Sequence, residues 1–152
     1  MEISQVTEKH KDQWLALFTS FQEDELSAEL IDLVWSRIMD PNIPIFSMVA
    51  TENKQVVGLV VYTLQIDTLS VKPVCRITDM YASTPSPLFM SAIVTAFIRK
   101  LRDEAIAHKR WVCLQWQVTT NCSEGIKTYE ELGRSYRLFS QNLRDYSIYF
   151  ED

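Results

Sequence analysis

The feature that most limits the fold of this chain is a change of hydrophobic period in its middle. Three apolar, β-branched runs at residues 45–51, 55–66 and 74–82 are typical of strands, and "ENK" between the first two predicts a hairpin. Residues 88–108 follow a helical period, and residues 110–118 return to a strand pattern. A hairpin needs antiparallel neighbours, whereas a strand–helix–strand step favours parallel ones. The sequence therefore predicts a mixed sheet covered by helices.

The N-terminal segment predicts one strand and two helices. Residues 2–6 are a strand candidate, Thr7 is expected to cap a helix that runs to Phe21, and Ser27 a helix that ends before Pro41. The apolar residues expected to face the core from these helices are Trp14, Leu17, Phe18, Phe21, Leu30, Ile31, Val34, Trp35 and Ile38.

The C-terminal segment predicts a short helix and two strands. The helix covers residues 123–133 and is stopped by Gly133, in the position where glycine commonly follows a helix. Strands are predicted at residues 134–139 and 146–152. The fold class is therefore α/β (α+β), with a mixed, mostly antiparallel sheet of about seven strands, about four helices and a single domain, 1–152.

Composition restricts the class of protein. A chain of 152 residues with 47% hydrophobic and 23% charged residues suits one globular core. Its net charge of −5 and lack of an unmixed basic stretch argue against nucleic-acid binding. The apolar runs are too short to span a membrane, and "MEISQVTEKHKDQW" lacks the pattern of a signal peptide, so a cytoplasmic location is expected.

Cysteine, histidine and glycine positions exclude several kinds of site. Three cysteines without CxxC spacing predict reduced thiols: Cys75, Cys113 and Cys122. His10 and His108 belong to no metal-like cluster, so no metal is expected. The chain has only three glycines, which excludes both the GxxxxGK[ST] loop and the GxGxxG fingerprint.

One C-terminal segment, "LQWQVTTNCSEGIKTYEELG", resembles the signature of the GNAT acetyltransferase superfamily. The family pattern there is a strand, an asparagine, a small residue and a helix that carries Tyr-Glu-x-Leu-Gly. Gly125 takes the small position, and Tyr129, Glu130, Leu132 and Gly133 match the end. Upstream, "KQVVGLVVY" looks like the family's central strand and "ITDMYAS" like its next strand.

The resemblance implies a GNAT-like fold that uses acetyl-CoA as co-substrate and acetylates a primary amine of a small molecule or a protein. A backbone N–H near Met80, Tyr81 or Ala82 would stabilise the oxyanion of the transfer. Tyr129 would be the general acid for the leaving thiolate, and Asp79 a base acting through water. The alternatives are that Tyr129 only packs its ring under its helix and that Asp79 is a solvated charge or belongs to a structural ion pair.

The turn "ASTPSPLFMSAIV" departs from the family pattern. In the family it typically reads Arg-x-x-Gly-x-Gly/Ala, and its N–H groups face the CoA diphosphate at a helix N-terminus. Pro87 stands in place of the arginine, Met90 in place of the first glycine, and Ala92 fits the small position, with Leu88 and Ser91 between them. Because proline offers neither a charge nor an N–H, the turn is either a weakened or a rerouted diphosphate site.

Two further segments bear on the implied site. Asn121 lies one place earlier than the family asparagine, and Cys122 occupies its column, so contact of Asn121 with CoA depends on a local bulge. The acidic residues 23–25 lie between the first two helices, a segment that walls the amine pocket in the family. Carboxylates there would attract a cationic amine. The alternative is a solvated surface.

Three hypotheses follow from these patterns. The leading one is an acetyl-CoA-dependent N-acetyltransferase, the second a catalytically inactive GNAT-fold binding or regulatory module, and the third an unrelated α/β fold with coincidental spacing. The turn with Pro87 and Met90 separates the first two. The sequence leaves open the acceptor amine, the general base and the oligomeric state, a homodimer included.

Overall fold

The elements of the protein follow the order expected from the sequence. The computed structural model describes residues 1–66, 68–69, 72–84, 86–108, 111, 113–117, 138–140 and 145–149. Its elements are β1 (Glu2–Gln5), α1 (Lys11–Ser20), α2 (Ala28–Met39), β2 (Ile45–Glu52), β3 (Gln55–Gln65), β4 (Val74–Ala82), α3 (Pro87–His108), β5 (Cys113–Gln117), β6 (Leu138–Ser140) and β7 (Asp145–Tyr149). The predicted helix at 123–133 lies outside the described residues.

The strands within the described residues form one sheet in the order β1-β2-β3-β4-β5-β7-β6. Every neighbouring pair is antiparallel except β4 and β5, which are parallel and are joined through α3. The predicted α/β class and mixed sheet are therefore confirmed. None of the helices in the described part of the chain is long and apolar enough to cross a membrane.

Each face of the sheet is buried under helices. The α3-side core consists of Met48, Ala50, Val60, Tyr62, Cys75, Ile77, Ala82, Ile93, Phe97, Ile98, Leu101, Ala105, Trp111, Leu114 and Trp116. The α1/α2-side core consists of Trp14, Leu17, Trp35, Val49, Leu59 and Val61. Because successive strand side chains point to opposite faces, the apolar runs of β2 and β3 supply both cores.

The second helix begins where the sequence indicates, whereas Thr7 caps a short turn and α1 begins only at Lys11, with His10 as its N-cap. A short 3₁₀ turn (Glu8–His10) follows Thr7, whose N–H donates to His10 Nδ1 at 3.0 Å, and precedes α1. Ser27 Oγ accepts from the Leu30 N–H at 3.2 Å, so the predicted cap of α2 is confirmed. Phe21 and Leu30 were expected to face the core, but this is wrong, since they are 45% and 41% exposed. Leu30 lies in the first turn of α2, and Phe21 is the C-cap residue of α1.

The predicted hairpin between β2 and β3 is confirmed. Asn53 and Lys54 form its two-residue turn with φ of 50° and 64°. A turn with positive φ at both central positions matches the twist of the strands it joins. Two bulges follow from the register: Val57 is an extra residue opposite β2, and Thr78 is an extra residue opposite β3. Such bulges bend a strand and change where its next residues point.

Three small residues let α3 approach the sheet closely. Ala50, Gly58 and Ala82 are neighbours across β2, β3 and β4. A Cβ on Gly58 would lie 2.8 Å from Ile93 Cγ2 and 3.2 Å from the Tyr81 carbonyl oxygen. The absence of a side chain at Gly58 therefore sets how closely the N-terminal half of α3 packs beside the end of β4.

Two of the three cysteines lie on strands of the sheet. Cys75 and Cys113 are buried thiols on adjacent strands, and Cys122 lies outside the described residues. Among the residues that the structure describes, no group of three or more His, Cys, Asp or Glu is arranged to hold a metal ion.

Candidate active site

The parallel strands β4 and β5 part before β4 ends. They pair only through Val74↔Cys113, Cys75↔Leu114 and Arg76↔Gln115. From residue 77 to 82, the edge of β4 has no strand partner within the described residues, while the end of β5 pairs with β7. The main-chain N–H and C=O groups on this edge can therefore hydrogen-bond an extended ligand, as exposed strand edges do.

The residues expected to supply an oxyanion donor lie on this open edge. Met80, Tyr81 and Ala82 pair with Val60, Leu59 and Gly58 of β3 on their other side. Because the hydrogen bonds of an antiparallel strand alternate between its two sides, some of the N–H groups of these three β4 residues point away from β3. The side chains of Met80 and Ala82 contact the α3-side core, and that of Tyr81 contacts the α1/α2-side core.

The N-terminus of α3 follows the open edge directly. The Met90 N–H donates to the Ser86 carbonyl at 2.9 Å, which is the first hydrogen bond of the helix. This leaves the N–H groups of Leu88 and Phe89 without an intrahelical acceptor, and Pro87 has no N–H. Sequence reasoning selected Leu88 but missed Phe89, although counting the first three helical N–H groups identifies both.

The apolar side chains at the start of α3 differ in their burial. Phe89 and Met90 are half-buried against the α3-side core, whereas Leu88 is 85% exposed. The methionine in the glycine position therefore packs toward the sheet. Ser91 is half-buried and Ala92 exposed. Residues 83–92 contain no lysine or arginine, so the turn offers main-chain donors and the helix dipole to an anion without a cationic side chain of its own.

Asp79 and Tyr81 form a polar pair on the α1/α2 side of the open edge. The Tyr81 hydroxyl donates to Asp79 Oδ1 at 3.0 Å, and Gln22 Nε2 donates to the Tyr81 hydroxyl at 3.5 Å. Burial, then the charge of Asp79 and this hydrogen bond, raise the pKa of Tyr81 to about 12, while the Gln22 hydrogen bond opposes the rise. Tyr81 is therefore a neutral phenol at pH 7, which donates a hydrogen bond and does not act as a base.

Aromatic rings join the end of α1 to β4. The Phe21 ring stacks on Tyr81 with centroids 4.6 Å apart and an interplanar angle of 1°, and Phe18 meets Tyr81 edge-on at 6.0 Å. Phe18 in turn stacks on Trp14 at 4.9 Å. Phe21 therefore contacts Tyr81 of the candidate site and does not lie in the core, where it was expected. The sequence offered no signal for this contact, which joins residues from separate elements.

The other predicted site residues divide into two groups. Glu23, Asp24 and Glu25 are exposed, and they directly follow Gln22, which contacts Tyr81. Asn121 and Tyr129 lie outside the described residues. The structure therefore brings together the β4 residues, the α3 turn and the end of α1.

A separate cavity of about 760 Å³ lies at the β2–β3 hairpin. It is lined by Met1, Glu2, Lys9, His10, Gln13, Thr51, Glu52, Asn53 and Lys54. None of the predicted site residues lines it. We therefore place the candidate site at the parted strands.

Comparisons with known proteins bear on the fold. No family model matches the sequence, and no curated protein matches it. A solved structure described as a probable acetyltransferase is 18% identical over 88% of this chain and 89% of its own, with a TM-score of 0.70. A transcriptional regulator from Bacillus halodurans C-125 is 15% identical over 87% and 91%, with a TM-score of 0.70.

A third similar structure contains a CoA derivative. It is AAC(6')-Iy in complex with the bisubstrate analogue CoA-S-monomethyl-acetylneamine, 13% identical over 87% of this chain and 88% of its own, with a TM-score of 0.64. At these identities the likeness establishes a shared fold.

Proposed function

Because this chain has the fold of the GNAT acetyltransferases, we propose that it is an N-acetyltransferase that acetylates a primary amine with acetyl-CoA. The observation that carries the proposal is the parting of β4 from β5 beside the first turn of α3. An open strand edge suits the amide groups of pantetheine, and an adjoining helix N-terminus suits a diphosphate.

The described residues fit acetyl-CoA, which supplies an activated thioester when bound. The β4 edge offers main-chain hydrogen bonds, and the Leu88 and Phe89 N–H groups offer two anion donors. The turn lacks the arginine of the family pattern because Pro87 stands in its place. A hydrogen bond to a charged group contributes about 1.5–3 kcal/mol, so each missing contact lowers affinity about 10- to 150-fold.

The amine acceptor binds between the end of α1 and the open edge of β4. An alkylamine with a pKa near 10 is mostly protonated at pH 7, so it must lose a proton before it attacks. Asp79 accepts that proton through water, and the amine nitrogen forms the new C–N bond as the C–S bond of the thioester breaks. The second proton, which the nitrogen loses on becoming an amide, passes through water to Tyr129 and replaces the proton that Tyr129 gives to the thiolate. N–H groups within Met80–Ala82 stabilise the negative charge that develops on oxygen, and Tyr129 protonates the leaving thiolate.

Isothermal titration with acetyl-CoA tests the cofactor half of this proposal. We expect measurable binding by the wild-type chain and about 10-fold tighter binding by Pro87→Arg, which restores the missing charge. Pro87→Ala is the matched control, because it restores only the N–H and should tighten binding less. If neither the wild type nor Pro87→Arg binds millimolar acetyl-CoA, the proposal is wrong.

Thiol release in the presence of primary amines tests the transfer itself. Tyr129→Phe should lower kcat more than it changes the affinity for acetyl-CoA, since its role is in the chemical step. An unchanged rate in this variant would remove Tyr129 from the mechanism while leaving the activity intact.

The second candidate function is a GNAT-fold binding or regulatory module without catalysis. The observation in its favour is the turn at residues 83–92, which has no cationic side chain and has proline at a helical position where an N–H would face an anion. For this function we expect no response to acetyl-CoA, whatever residue stands at position 87.

A further inference from the structure

The Asp79 carboxylate is held by a chain of contacts that begins at the end of α1. Gln22 Nε2 donates to the Phe18 carbonyl oxygen at 3.0 Å and to the Tyr81 hydroxyl at 3.5 Å. The first bond fixes the Gln22 side chain against its own helix, and the second aims it at the phenol. Gln22 thus connects the C-terminal turn of α1 to β4 across 59 positions of sequence.

Tyr81 is fixed at both its ring and its hydroxyl. Its ring lies parallel to that of Phe21 at 4.6 Å and meets Phe18 edge-on. Its hydroxyl accepts from Gln22 and donates to Asp79 Oδ1, so the single phenol proton is committed to the carboxylate. Such a doubly bonded hydroxyl restricts the rotation of the ring and of the group it donates to.

Asp79 is therefore held through only one of its two oxygens. Oδ1 accepts the Tyr81 hydrogen bond at 3.0 Å, and within the described residues Oδ2 has no hydrogen-bond partner. Asp79 and Tyr81 are two apart on β4, so both side chains stand on the same face of the sheet. This leaves one carboxylate oxygen positioned on the acceptor side and able to take a proton.

We propose that Tyr81 and Gln22 are positioning residues that hold the Asp79 carboxylate in the orientation needed to remove the proton of the acceptor amine. This inference rests on the proposed acetyl transfer at the same site. Tyr81 acts only through Asp79, and it remains neutral at working pH because burial and the neighbouring carboxylate raise its pKa to about 12. The charged residues that follow Gln22 in the chain, Glu23, Asp24 and Glu25, are exposed.

A kinetic double-mutant cycle tests this dependence. At saturating acetyl-CoA, Tyr81→Phe should lower kcat about 10-fold, the worth of a hydrogen bond to a charged group, and leave the KM for acetyl-CoA within about 2-fold. Asp79→Asn should lower kcat at least as much. The double variant should be no slower than Asp79→Asn alone, because Tyr81 has no role without the carboxylate.

Two control variants separate positioning from packing. Tyr62→Phe removes a tyrosine hydroxyl on β3 that accepts from Gln5 at 3.2 Å, on the opposite face of the sheet, and should leave kcat unchanged. Phe18→Leu removes a ring that packs against Tyr81 but leaves both hydrogen bonds of the Tyr81 hydroxyl in place, so it should lower kcat less than Tyr81→Phe does.

A spectroscopic titration tests the contacts without any activity. The difference in absorbance at 295 nm between the wild type and Tyr81→Phe should show one phenol that titrates near pH 12. Asp79→Asn should lower that midpoint, and Gln22→Ala should raise it. A midpoint that does not respond to Asp79→Asn overturns the proposal.

The outcomes distinguish this inference from the proposed function. If the wild type transfers acetyl groups and Tyr81→Phe is equally fast, or if the double variant multiplies the two single losses, the positioning role is wrong and the transferase remains. If the wild type binds acetyl-CoA but acetylates none of a panel of alkyl and aryl amines, the proposed function is wrong and the positioning role falls with it.

Discussion

Gly58→Ala is the substitution whose effect the structure defines most closely. Gly58 is buried in β3 and has no positive φ, so alanine is compatible with its backbone conformation. The added Cβ would lie 2.8 Å from Ile93 Cγ2, 3.2 Å from Ile93 Cδ1 and 3.2 Å from the Tyr81 carbonyl oxygen. Ile93 is fully buried and β-branched, so it has few other rotamers in a helix, and the strain must be relieved by moving α3.

The magnitude follows from two opposing effects. Inserting a methyl group into a packed core costs about 1–3 kcal/mol. Replacing glycine where alanine fits the backbone stabilises by about 0.4–1 kcal/mol, because it restricts the unfolded chain. We expect a net loss of about 1–2 kcal/mol in the free energy of unfolding, which corresponds to a fall in Tm of about 2–8 °C for a chain of this size.

Urea and thermal unfolding of a double-mutant cycle check this reasoning. Ile93→Ala alone should cost about 2–5 kcal/mol, and Gly58→Ala should cost much less when added to it than in the wild type, because both clashing Ile93 atoms are gone and only the 3.2 Å contact with the Tyr81 carbonyl oxygen remains. The matched control is Ile98→Ala, another fully buried isoleucine of α3, on whose background Gly58→Ala should keep its full cost. An equal cost on all three backgrounds, or a stabilised single variant, would refute the proposed clash.

Three further outcomes are expected. Ser47→Ala should lower the free energy of unfolding by about 1–3 kcal/mol in urea, because it removes the acceptor of the buried Trp14 Nε1–H at 2.9 Å; Ser36→Ala, exposed on α2, is the control and should change it by less than about 0.5 kcal/mol. The folded-state pKa of Tyr81 lies above the ordinary value of 10, so its contribution is complete below pH 10 and is lost as the pH rises toward 12. The stability advantage of the wild type over Tyr81→Phe should therefore shrink in urea titrations as the pH rises from about 10 toward about 12, and a constant difference would contradict the shift. Ser27→Ala should cost about 0.5–2 kcal/mol by thermal unfolding, since it removes the side-chain cap of α2, and an unchanged Tm would count against that cap.

Features that depend on neighbouring residues in the sequence were predictable. The β-branched runs predicted β2, β3 and β4, the segment "ENK" predicted the hairpin between β2 and β3, and Ser27 predicted the start of α2. These features are local, because side-chain period and turn chemistry act within a few residues. The strand–helix–strand step likewise predicted the one parallel pair in the sheet.

The sequence predicted which segments form the candidate site, but not how their residues are arranged. The sequence pointed to β4 and the turn before α3, and it selected Asp79 and Leu88 there. It could not show that Phe89 is the second open donor or that Met90 packs toward the core, because these depend on where the helix begins and how it sits on the sheet.

What the amino-acid order determined by itself is the succession of strands and helices and the faces they bury, since each follows from the period of the apolar residues. Only the tertiary structure decided where β4 leaves β5, how closely α3 approaches Gly58, and that Gln22 reaches Tyr81. The physical reason is that strand register, bulges and helix packing join residues far apart in the chain, and the free energy of those contacts is not encoded in any one local pattern.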